Sequence, residues 1–180
     1  LLENGADIDI VDSYGGTALT MAAEHNNIEV IDPLLTKIDI NKRKYHCNLA
    51  LLSASTESDV ETIEHLLTKD IDINTTNQRG NNALLNVLDP KGIHGSDEHY
   101  FYMNILYILD LLLTKNINVN AQNNSGSTAL MEAIKYLDEE ITGIEGLNVK
   151  AVVKILKYGA DVSLKDKNGK TALMWAVEKN

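Results

Sequence analysis

One five-residue phrase recurs five times along this chain. Ala18-Leu19-Thr20-Met21-Ala22 returns as Ala50-Leu51-Leu52-Ser53-Ala54 and as Ala83-Leu84-Leu85-Asn86-Val87. It returns again as Ala129-Leu130-Met131-Glu132-Ala133 and as Ala172-Leu173-Met174-Trp175-Ala176. A second phrase, running from Leu1 to Asp9, is echoed over 34–41, 66–74, 112–120 and 155–163. A third, Asp12-Ser13-Tyr14-Gly15-Gly16-Thr17, is echoed over 123–128 and 166–171. Successive alanine openings stand 32, 33, 46 and 43 residues apart. A base period near 33 marks a stacked repeat array, and two of the units carry insertions of roughly ten to thirteen residues. No single unit of that size buries its own apolar face. Neighbours bury it by stacking, so stability is local and adds along the array.

The letters within a unit predict turn, short helix, loop, longer helix, turn. Gly15, Gly80, Gly126 and Gly169 fall where a tight turn needs a permissive backbone. Thr17, Thr128 and Thr171 follow as helix caps, with Asn82 as a substitute cap. The Ala-Leu-x-x-Ala stripe is a small-residue face at helical spacing, which admits a neighbouring helix closely.

These registered phrases resemble the ankyrin repeat over the whole chain. The resemblance implies an all-α ankyrin-repeat solenoid of stacked helix-turn-helix units with turn fingers, two units carrying insertions between their helices. It sets residues 1–11 as the end of a partial repeat and 12–43, 44–76, 77–122 and 123–165 as four repeats. Residues 166–180 then start a further one. The family's usual Pro and His after the capping Thr are absent in every unit. Ala18, Ala50, Ala83, Ala129 and Ala172 take the first place, and Thr20, Leu52, Leu85, Met131 and Met174 the second.

Three places depart further. In the unit opening at Lys44, Cys47 replaces the turn glycine and Leu49 the capping Thr, which predicts an altered turn. Pro33 lies inside an expected second helix and predicts a late start or a kink. The insertions around 89–102 and 138–148 fall at the same point of consecutive units, so they are expected to be neighbours in space. After the first, Asp97 to Lys115 predicts a lengthened helix with a broad apolar face. Its Tyr100, Phe101, Tyr102 and Tyr107 pad that helix, or alternatively contact a partner.

Chemistry finds no foothold. There is no phosphate loop, no nucleophile elbow and no His-Glu-x-x-His. His94 and His99 lack metal spacing, His46-Cys47 reads as a worn turn, and Asp138, Glu139 and Glu140 as a solvated loop. Asp39, Asn41, Asp72, Asn74, Asn118, Asn120 and Asp161 are expected to satisfy turn backbone rather than bind calcium. No catalytic residue, metal or cofactor is assigned, and no enzyme activity is expected. A formal charge of −10 argues against nucleic acid and against an anionic membrane surface. The single cysteine allows no internal disulfide and fits a reducing compartment.

The resemblance implies a protein-binding module that uses the concave face formed by fingers and first helices. Carried over position by position, the contacts are Ser13, Tyr14, Glu24, His25, Tyr45, His46, Gln78, Arg79, Asn81, Asn124, Ser125, Lys135, Tyr136, Lys167 and Asn168. Tyr14, Tyr45, Arg79 and Tyr136 are the expected anchors, since interfaces favour Tyr and Arg. The acidic balance favours a basic partner. A monomer is expected, intracellular and cytoplasmic. The alternative is a targeting or adaptor segment of a larger effector or multidomain enzyme, in the effector case delivered to a host cell. The chain opens without Met and shows no evident polar cap at either end, so further repeats are expected outside it.

Overall fold

A computed structural model of the chain describes residues 1–13, 15–89, 98–136 and 146–179. After a short turn at Leu2–Asn4 come α1 (Ala18–Glu24), α2 (Ile28–Lys37), α3 (Ile40–Glu57) and α4 (Val60–Leu66). They are followed by α5 (Ala83–Val87), α6 (Glu98–Thr114), α7 (Ala129–Tyr136), α8 (Leu147–Lys157) and α9 (Ala172–Lys179). Helices α1, α3, α5, α7 and α9 pack in sequence as one layer. Helices α2, α4, α6 and α8 pack as the second, each against its partner in the first. The fold is thus an all-α solenoid of helix-turn-helix units with irregular helix lengths. The undescribed stretches 90–97 and 137–145 both lie between the two helices of a unit, where the insertions were expected. Whether those insertions adjoin lies outside the described residues.

The repeated phrase explains the core. Leu19, Leu51, Leu84 and Leu130 are buried at equivalent points of the first layer, with Ala23, Ala54 and Ala133 beside them. Ile31, Ile63, Leu66, Ile105, Ile108, Leu109, Leu112 and Ile155 supply the second layer. The small alanines let first-layer helices approach, and the branched residues fill the space between layers. The lengthened helix expected over 97–115 is α6, and its apolar face is buried through Ile105 to Leu113.

Four fingers share one hydrogen-bond plan, anchored on Asp12, Asn77, Asn123 and Asp166. In each, the anchor's N–H donates to the carbonyl four residues on, at 2.9–3.1 Å. The anchor's side-chain oxygen accepts the N–H of that same residue, at 2.8–3.1 Å. Closing so tight a loop needs φ near +80° at the fourth place, which Gly15, Gly80, Gly126 and Gly169 adopt at 76–83°. The caps form as expected. The Thr17 hydroxyl accepts from the Thr20 N–H, and the Thr20 hydroxyl accepts from the Thr17 N–H in return. Thr20, standing where the family has histidine, therefore closes a capping box of its own. Asn82 caps α5 by accepting the Leu85 N–H at 3.0 Å.

The Asp and Asn residues of the second phrase close Asx turns. Asp7, Asp39, Asp72, Asn118 and Asp161 each accept the N–H two residues on, at 2.8–3.0 Å. Asparagine also links neighbours. Asn74 accepts from the Asn118 N–H, and Asn120 from the Asp161 N–H, both at 2.7 Å.

Two expectations need correction. The altered turn expected at Cys47 is not a turn. Residues 40–57 form one continuous helix, capped by Asp39, with Cys47 buried in its middle. Lys42 to His46 contain neither the Asx anchor nor the glycine of a finger, so helix propensity extends α3 backwards through that place. Asn48, on this helix, accepts the Asp72 N–H at 2.7 Å and so stands in for Asn41. Nor does α2 start late. It begins at Ile28, with Pro33 inside it, and the missing proline N–H leaves the Glu29 carbonyl without its usual donor.

Candidate functional site

The fingers present the residues that can meet a partner. Their second and third places hold Ser13, Gln78, Arg79, Asn124, Ser125, Lys167 and Asn168, all exposed. The last three fingers are joined by backbone. The Asn124 N–H donates to the Arg79 carbonyl at 2.8 Å, and the Lys167 N–H to the Ser125 carbonyl at 2.9 Å. The Asn124 amide adds a bond to the Gln78 carbonyl at 2.8 Å. These exposed side chains therefore stand on a frame fixed before any partner arrives.

Glu24 and His25 are exposed at the end of α1, where the imidazole lies 2.9 Å from the Met21 carbonyl. Burial, and then the like charge of Glu24, push the Glu57 carboxyl above its ordinary value, with His25 opposing. A cation placed there relieves that repulsion.

The remaining expected contacts are placed differently. Tyr45 and His46 stand on α3 rather than on a finger. Tyr45 is 61% exposed, while His46 is buried, its Nε2 3.3 Å from Asp9 Oδ1. Asn81 is buried. Lys135 is largely covered and bonds Ser127 Oγ at 2.7 Å and Glu132 Oε1 at 3.2 Å. Tyr14, and the side chain of Tyr136, lie outside the described residues, as do His94 and the side chains of His99, Tyr100, Phe101 and Tyr102. Tyr107 is partly exposed and donates its hydroxyl to Glu64. Burial raises the Cys47 thiol pKa, against the pull of Lys69 and Arg43, which is the opposite of an activated thiolate.

Two polar centres escaped the sequence reading. Asn86 is buried, donating to the Leu52 carbonyl and accepting from the Asn77 amide, each at 2.9 Å. It ties the third finger to α3. At the other end Trp175 donates its indole N–H to Asp166 at 3.0 Å. The ammonium groups of Lys135 and Lys170 lie 4.5 and 4.2 Å from its ring centroid. Neither had a sequence signal beyond its place in the repeated phrase.

Desolvation raises Asp166, but donors from Lys170, Trp175 and Asn168 outweigh it and hold the carboxyl below its ordinary 3.8. A depressed carboxyl stabilises the fold above its unfolded value and loses that contribution as pH falls through the folded one. Asp166→Asn is therefore expected to flatten the acid limb of the stability profile below about pH 4. Urea unfolding at stepped pH measures this, and an unchanged acid limb would contradict the assignment.

Among the described residues, no group of three or more His, Cys, Asp or Glu is placed to hold a metal ion. No helix among them is long and apolar enough to cross a membrane.

Comparison with known proteins bears on the same plan. The family model described as ankyrin repeats, in three copies, matches residues 1–77. A solved structure, the ankyrin repeat domain of Bcl-3, described as a unique member of the IkappaB protein family, superposes with a TM-score of 0.69 at 29% identity. That match covers 96% of this chain and 68% of the other. The chain thus matches the ankyrin-repeat family over residues 1–77 and shares the fold of an ankyrin array over nearly all of its length. A comparison with curated proteins gave no match. Arrays of this fold are typical protein–protein interaction surfaces, and the exposed finger row of this chain is of that type.

Proposed function

We propose that the chain binds a protein partner across its finger row and the adjoining ends of the first-layer helices. The observation that carries this is the backbone bonding between the last three fingers, which fixes Gln78, Arg79, Asn124, Ser125, Lys167 and Asn168 in one exposed line. Ser13, Glu24 and His25 extend the line towards the first unit. Tyr14 and Tyr136 belong to the contact set by their places in the repeat. The partner is basic where it meets Glu24 and Glu57, because their mutual repulsion is relieved there. The module works as a monomer inside the cell, in units running 12–43, 44–76, 77–122 and 123–165. A lone, buried cysteine suits that compartment.

The test is crosslinking capture with the 180-residue chain, followed by affinity measurement on the captured partner. Gln78→Ala/Arg79→Ala/Lys167→Ala is expected to weaken binding by about tenfold or more with unchanged thermal unfolding. Full retention of affinity by that folded variant would refute the finger-row assignment.

A further inference from the structure

The finger row is interrupted after its first member, and the interruption has a defined shape. At Gly80 an added Cβ would lie 2.7 Å from Asn124 Oδ1 and 2.9 Å from its backbone nitrogen. At Gly126 it would lie 2.8 Å from the Lys167 nitrogen. Each of these glycines thus touches the following finger. At Gly15, the equivalent place of the first finger, an added Cβ meets nothing within 4 Å. The reason is α3, which passes through 42–48 as helix and sends out no finger. A notch of about 350 Å³ results, lined among others by Val11, Gly15, Thr17, Tyr45, His46 and Leu49.

The row also defines what an occupant must offer. In the last two fingers the second-place N–H donates to the third-place carbonyl of the finger before, Asn124 to Arg79 and Lys167 to Ser125. The second-place N–H of the third finger belongs to Gln78. It is exposed, and it has no acceptor among the described residues. Within the lining, Asp9 pairs with both Lys42 and His46. Tyr45 offers an exposed ring and Val11 an exposed aliphatic side chain.

We propose that this notch receives a tight-turn segment of a protein partner, seated as a substitute for the second finger. The turn presents a backbone carbonyl to the Gln78 N–H and an apolar side chain to Val11, Tyr45 and Leu49. Matching the row explains the choice of occupant: a turn of finger shape meets a donor already spaced for one, and buries apolar surface that a single-stranded flank would leave wet. The proposal rests on the reading of the array as a protein-binding module, but concerns an adjoining patch that shares with the finger row only the Gln78 backbone.

The probe is a disulfide-closed peptide carrying this chain's own first-finger sequence from Val11 to Thr17, whose valine and tyrosine supply the apolar side chains, titrated into the isotope-labelled chain at millimolar concentration. Saturable amide shifts at Gly15, Thr17 and Gln78 are expected. Asn41→Trp, an exposed notch residue filled by a ring, is expected to weaken the apparent affinity about tenfold, and Tyr45→Ala to do likewise without disturbing the fold. Shifts confined to the last three fingers, equal affinity in both variants, or no shifts at all would overturn the proposal. The Gln78/Arg79/Lys167 variant judges the finger-row reading with its own captured partner, so either idea can fail alone.

Discussion

Gly126→Ala is expected to cost roughly 3 kcal/mol, and Gly15→Ala about 1 kcal/mol. Both glycines have φ near +80°, so an alanine at either carries the left-handed penalty. Only at Gly126 does the new methyl also press on backbone, with the Lys167 nitrogen 2.8 Å and the Asp166 Cα 3.0 Å away. A finger cannot yield there without giving up the Lys167–Ser125 bond. Urea midpoints of the two variants, read at constant slope, measure the difference. Equal losses would mean that the fingers are not packed as described, and would also remove the basis for an open notch beside Gly15.

Leu84→Ala is expected to cost roughly 3 kcal/mol, while Leu173→Ala stays within about 0.5 kcal/mol of the parent chain. The two leucines hold the same place in the repeated phrase. Leu84 is fully buried between α3 and α7, whereas Leu173 is 71% exposed on the last helix. Truncating Leu84 leaves a cavity among residues that cannot collapse, since the five-residue α5 is fixed on both sides by stacked helices. The comparison needs only equilibrium unfolding of the two variants. A large loss at Leu173 would show that this end of the array is covered in solution.

These pairs show what sequence conveys and what it withholds. The phrase predicts helix, cap and glycine turn at each copy, because those depend on neighbours a few residues away. Thr17, Asn82 and the Asx anchors formed their bonds where the letters placed them. What a residue touches across units depends on the next copy, and the letters of one copy do not carry that. Gly15 and Gly126 are alike in sequence and opposite in surroundings. The second finger failed for a different reason. Its loss was visible at Cys47, yet the period suggested a distorted turn where the backbone in fact prolongs a helix. The clearer signal was at hand: no glycine occurs from Thr17 to Arg79, so nothing in that unit supplies the left-handed turn. Among the expected contacts, His46 and Asn81 turned out buried because equivalence of position does not fix side-chain direction. Asn86 and Trp175 went unnoticed since their partners lie in other parts of the fold.

The setting of Trp175 has an optical consequence. It is the chain's only tryptophan, so emission excited beyond the tyrosine absorption band comes from one fluorophore in the last unit. Its spectrum is set by two nearby ammonium groups and a carboxylate, all within the last two units. Emission on heating therefore reports fraying at that end, while far-ultraviolet dichroism averages over every helix. In a molecule whose units couple only to their neighbours, the two signals need not coincide. The separation between them is a direct gauge of how far along the solenoid cooperativity reaches.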